Sequence, residues 1–174
     1  MLIAHLAIVL LAKTLLPELD LFFLLVGTTT SSCDAVLPML GIRPDSYHTG
    51  GLYHSIWIPV LGAGVLYVLS PVSSVSFLLG GLLHLVSDSI DAGGRPWLYP
   101  LSKKRFGVAL IPYDFREYIS NPACIALESI SAAFIIYYII VVGLDWRSIL
   151  WILFLTPFFV GFVIHNRRAS GDRK

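Results

Sequence analysis

Apolar runs interrupted by short polar breaks set the organisation of this chain. Residues 2–16 and 19–33 are two brief apolar runs parted at Pro17. Each falls below the roughly 20 residues that carry a helix across a hydrocarbon core, so they predict a short helical hairpin tucked against other helices, or one broken crossing. Residues 34–51 contain Pro38, Gly41, Pro44, Asp45 and His48, the turn chemistry of an ordered loop rather than a domain boundary. Residues 52–69 and 72–90 are membrane-length runs joined only by Ser70 and Pro71, which makes them antiparallel neighbours. Beyond a mixed aromatic and basic loop, residues 123–144 and 148–164 form a last hairpin around Asp145, Trp146 and Arg147. The pattern predicts an all-α, polytopic transmembrane helical bundle of about five to six membrane segments. One integral-membrane domain covers residues 1–174, with a C-terminal helical hairpin at 123–164 and a basic tail at 165–174.

Composition strengthens the membrane reading. Hydrophobic residues make up 56% of the chain and charged residues 13%, and the mean hydropathy is +0.79. A net charge of +1 gives no concentrated basic surface for nucleic acid. Cys33 and Cys124 have neither metal nor redox spacing and read as ordinary thiols. The first run lacks a basic leader and carries His5 and Lys13, so it reads as a structural helix rather than a cleaved signal. Charge distribution then gives orientation. The loop with Lys103, Lys104 and Arg105 and the tail with Arg167, Arg168, Arg173 and Lys174 are separated by two crossings and share a side. The positive-inside bias makes that side cytoplasmic, together with both termini, in an inner or cell membrane.

The chemistry centres on residues 80–100, GGLLHLVSDSIDAGGRPWLYP. On a helix His84, Asp88 and Asp91 share a face, and Gly93, Gly94 and Pro96 end that helix. Ionisable groups in a membrane-length run face protein, water or a bound ion rather than lipid. Imidazole with carboxylate suits zinc, manganese or iron. The plainer alternative is a hydrogen-bonded packing pair of His84 and Asp88, and Asp91 equally suits a helix-end cap. Segment counting brings His54 to the same membrane side, with Asp34 and His48 in the preceding loop; the hairpin adds His5. His165 reads as an interfacial tip.

These residues resemble the YdjM-like, LexA-regulated inner-membrane family described as membrane-bound metal-dependent hydrolases. The His-x-x-x-Asp helix followed by Gly, Pro and a basic cluster stands here as His84, Asp88, Gly93, Gly94, Pro96, Pro100 and Lys103-Lys104-Arg105-Phe106. Gly51-Leu-Tyr-His54-Ser55 matches the second half of the family's His-Arg-Gly-x-Thr-His-Ser element; His48 stands for its first histidine, one residue further away, followed by Thr49. A Pro-Asp-x-Asp element falls on residues 31–34 and keeps Asp34. The resemblance spans roughly residues 1–112. It implies a divalent metal, zinc favoured over manganese or iron, held by His5, His54, His84 and Asp88. Asp34, His48 and Asp91 would be further ligands or the base. Lys103, Lys104 and Arg105 are a cytosolic anchor to membrane lipid or a contact for an anionic head group. The expected reaction is hydrolysis of a phosphoester or other bond of a lipid-like amphiphile. A divalent-cation transporter or non-enzymatic membrane protein is the alternative, although the far side offers little beyond Lys13, Glu18 and Asp20.

Overall fold

The computed structural model describes residues 2–31, 51–90, 93–108, 110–112 and 115–171. Asp34, His48 and Asp91 lie outside the described residues. Within these, the chain folds as α1 (Leu2–Leu15), α2 (Leu21–Thr30), a 3-10 turn (Leu52–His54), α3 (Trp57–Tyr67), α4 (Pro71–Asp88), α5 (Phe115–Ser120), α6 (Pro122–Val141) and α7 (Trp146–Gly171). The expected all-helical architecture is what forms.

Helix starts follow local chemistry. The Asp20 carboxylate accepts from the Phe22 and Phe23 amides at the head of α2. Ser70 caps α4 and Asn121 caps α6, each in extended backbone and followed by a proline whose missing N–H costs nothing at the first helical position. Asp145 accepts from the Arg147 and Ser148 amides at the head of α7. Partial burial alone would raise the Asp145 carboxyl, but the Ser148 hydrogen bonds and the Arg147 charge outweigh it and hold the group below its ordinary range.

Two helices among the described residues, α4 and α6, are long and apolar enough to cross a membrane, fewer than the five to six segments expected. The shortfall has local causes. α1 and α2 are held apart by a turn in which the Lys13 ammonium donates to the carbonyls of Pro17 and Leu19. α3 starts at Trp57 rather than residue 52, because the 3-10 turn occupies Leu52–His54 and the Ile56 amide donates to the Trp97 carbonyl. Pro59 sits in the first turn of α3, where its ring is tolerated. At the other end of the chain α7 continues past Pro157 to Gly171, beyond the expected limit at residue 164, and α5 is a short helix in what reads as loop.

α4 is the axis of the bundle and is inside out relative to a soluble helix. Its buried positions are mostly small or polar, Ser73, Ser74, Ser76, Gly80, Gly81, His84, Ser87 and Asp88 beside Phe77 and Leu85, while Val72, Val75 and Val86 are exposed. Small residues let backbones touch. A Cβ on Gly80 would lie 2.1 Å from the Leu24 carbonyl oxygen, and one on Gly27 would lie 2.1 Å from that of Phe77. The Thr28 hydroxyl donates to the Gly80 carbonyl (2.9 Å) across this crossing. α2 runs in the same direction as α4, since Asp20 meets Ser76 and Leu24 meets Gly80. α3 runs the other way, with Ser74 against Ala63 and Gly81 against Pro59. Small-residue interfaces with apolar outward faces are what lipid surroundings select.

Candidate metal centre

Those helix directions bring four distant residues to one end of the bundle. His5 comes from the first turns of α1, His54 from the 3-10 turn, and His84 and Asp88 from the last turns of α4. Asp88 is the hub. Its Oδ1 is 3.0 Å from His5 Nε2, and its Oδ2 is 3.2 Å from His54 Nε2 and 3.4 Å from His84 Nε2. The His5 and His84 rings stack with centroids 4.6 Å apart, and the His54 ring is tilted 5.7 Å from that of His84. Of the residues expected to hold a metal, His5, His54, His84 and Asp88 are thus together, and His54, His84 and Asp88 are buried.

A fifth group completes the cluster. Arg95 Nε lies 2.9 Å from Asp88 Oδ2, its Nη1 donates to the Gly94 carbonyl (2.9 Å), and the residue is only 3% exposed. The loop that carries it is fastened to the end of α4. Arg95 and Phe106 exchange backbone hydrogen bonds of 2.8 and 2.9 Å, the Val108 amide reaches the Ser89 carbonyl, and the Trp97 indole donates to the Ser89 hydroxyl (2.8 Å). Gly94 makes the turn possible, with φ +57° and Phe106 carbonyl oxygen 3.0 Å from where a Cβ would stand. The same loop presents Lys103, Lys104 and Arg105, all exposed. Arg105 Nη1 donates to the Gly93 carbonyl (3.0 Å), and the Lys104 ammonium lies over the Phe106 ring.

The donors suit a divalent cation. One ligand atom from each of His5, His84 and Asp88 lies within 4.8 Å of the others. The Nδ1 of His84 is buried without a hydrogen bond, an arrangement that is costly unless something else uses it. Three imidazoles and one carboxylate match zinc, manganese or iron in ligand type.

Residues 2–169 match the profile of the YdjM inner membrane protein family. The chain belongs to this family. No curated protein and no solved structure matches it. Family membership and the inside-out α4 agree that this YdjM-family chain is a membrane protein.

Two residues of the site went unread in the sequence. Arg95 looked like one more basic residue of an interfacial loop, although its place between Gly94 and Pro96 pins it beside the helix end. Glu128 is the sole acid of α6, and an acid in a spanning helix is itself a signal. Its Oε2 accepts from the Ala4 amide (3.1 Å), next to His5, and its Oε1 accepts from the Tyr118 hydroxyl. Burial, then the hydrogen bond and charge of Glu128, raise the Tyr118 phenol above its ordinary range. Glu128 therefore ties α6 and α5 to the end of α1 that carries His5. A carboxylate here also faces the positive end of the α1 dipole.

Proposed function

We propose that this YdjM-family protein is a membrane-bound metal-dependent hydrolase acting on a phosphoester or similar bond of an amphiphilic substrate. The observation that carries the reading is the convergence of the His5, His54 and His84 Nε2 atoms on the Asp88 carboxylate. These four side chains would hold the cation, with zinc favoured. Such a cation supplies an acidified water and stabilises charge on a phosphoryl or carbonyl oxygen. In hydrolysis the water oxygen bonds to phosphorus, the ester oxygen leaves, and the proton lost by water is carried to that leaving oxygen. Asp34, His48 and Asp91 are the candidate carriers. Lys103, Lys104 and Arg105 would draw an anionic head group towards this end from the lipid surface.

A divalent-cation transporter is the weaker reading. Between this cluster and the far polar end around Lys13, Asp20 and Arg147, the buried side chains of α1 and α2 include Val9, Leu10, Leu24 and Leu25, and the buried Thr28, Ser74 and Ser76 hydroxyls already donate to backbone carbonyls. The positive-inside bias of the basic loop favours a cytoplasmic site end. Cysteine labelling of sealed vesicles at positions 103 and 145 should find 103 inside and 145 outside; the reverse would overturn the orientation. Purified protein should hydrolyse at least one member of a panel of lipid phosphoesters, lose that activity on chelation and regain it with zinc or manganese. Hydrolysis indifferent to chelation would refute the metal-dependent reaction.

A further inference from the structure

The described ligands do not all hang from one support. His84 and Asp88 lie on α4, and His54 lies on the turn that leads into α3, which packs along α4. α1, which carries His5, packs more extensively on α6 than on α4. Resting on the metal reading above, we infer that Glu128 is a positioning residue of that centre: from α6 it caps α1 and so sets where the His5 imidazole stands against Asp88. The C-terminal hairpin, which carries none of the expected ligands, is then part of the metal centre.

An α-helix leaves its first amides without an internal acceptor, and the first turn of α1 contains no acid that could serve them. The Ala4 amide is one of these, in a residue only 3% exposed, where an unmade hydrogen bond is costly. Glu128 Oε2 meets it at 3.1 Å from 124 positions away. Glu128 stands four residues after Cys124 and three before Ser131, both buried, so it belongs to the inward face of α6. Its other oxygen accepts from the Tyr118 hydroxyl of α5, which leaves the carboxylate little freedom to turn. Ala4 and His5 are consecutive and point about 100° apart on a helix. One residue therefore fastens α1 to α6 while the next reaches α4, its Nε2 3.0 Å from Asp88 Oδ1. A slip or rotation of α1 would carry His5 off that carboxylate. Metal bonds tolerate only about 0.2 Å, and outer groups that orient ligands are worth about 10- to 100-fold in metal affinity.

The test uses full-length protein in detergent and reads its zinc dissociation constant by competition with a chromophoric chelator. Glu128→Ala should weaken zinc by about tenfold or more, and His5→Ala by at least as much. Glu128→Gln should stay within about threefold of wild type, because the amide oxygen still accepts from Ala4 and the amide nitrogen can donate to the Tyr118 oxygen. If Glu128→Ala fails to fold, Glu128→Leu, which keeps the volume on an apolar helix, takes its place. The His5→Ala background separates positioning from general loosening of the fold. There Glu128→Ala should cost less than about twofold, since the ligand it places is gone. A second full loss in that background would overturn the inference, as would wild-type affinity in Glu128→Ala. Equal losses in Glu128→Gln and Glu128→Ala would overturn it too, by showing that the negative charge matters rather than the hydrogen bond. A wild type that binds no zinc would refute the underlying centre, whereas a zinc-binding wild type matched by Glu128→Ala would refute only the role of Glu128.

Discussion

Asp88→Asn should abolish both metal binding and hydrolysis and, in addition, lower stability by about 3 kcal/mol. Three imidazoles meet at this carboxylate, so the amide removes the only negative ligand among the described members of the cluster. The stability loss has a separate origin: the amide removes the negative charge that faces the Arg95 guanidinium, which is 3% exposed and 2.9 Å from Asp88. A double variant separates the two effects. Asp88→Asn with Arg95→Gln removes both charges, so it should recover most of the thermal stability in detergent while metal and hydrolysis stay absent. Full hydrolysis by the double variant would show that the cluster is a structural ion pair, whatever its stability.

Gly80→Val should disrupt the bundle more than any exposed substitution. The α2–α4 crossing leaves no room at this position, because even a Cβ would stand 2.1 Å from the Leu24 carbonyl oxygen, a backbone atom that cannot rotate away. Overpacking of this kind costs roughly 3 kcal/mol, and pushing α2 outward also breaks the Thr28 to Gly80 hydrogen bond. Thr28→Val removes that bond alone and should cost about 0.6 kcal/mol. Gly64 provides the control, since a Cβ there meets nothing within 4 Å. Thermal unfolding of the three variants should rank Gly80→Val far below Thr28→Val, and Gly64→Val near wild type. Matching transitions for Gly80→Val and Gly64→Val would contradict the close crossing.

What could be read from the letters was whatever depends on spacing along one helix or on a short connection. His84 and Asp88 are four apart on a helix, and the Ser70–Pro71 turn forces α3 and α4 together, so the partnership of His54 with His84 followed from topology. His5 joined them only if the first two runs form a hairpin, which they do. Helix lengths were harder, because the extent of α3 depends on a hydrogen bond from Ile56 to Trp97, some forty residues further along the chain. Arg95 and Glu128 escaped for a related reason. A loop arginine and a helix glutamate carry no sign of their partners, and only folding reveals that one meets Asp88 and the other the amide of Ala4. Asp34, His48 and Asp91, also expected at the site, lie outside the described residues.

The most direct measurement of the central claim is metal analysis of detergent-purified wild type beside His84→Ala. Wild type should carry stoichiometric zinc, manganese or iron, and His84→Ala should carry little. Equal metal content in the two proteins, or a wild type that holds none after growth and purification with added metal, would contradict a metal centre at His5, His54, His84 and Asp88.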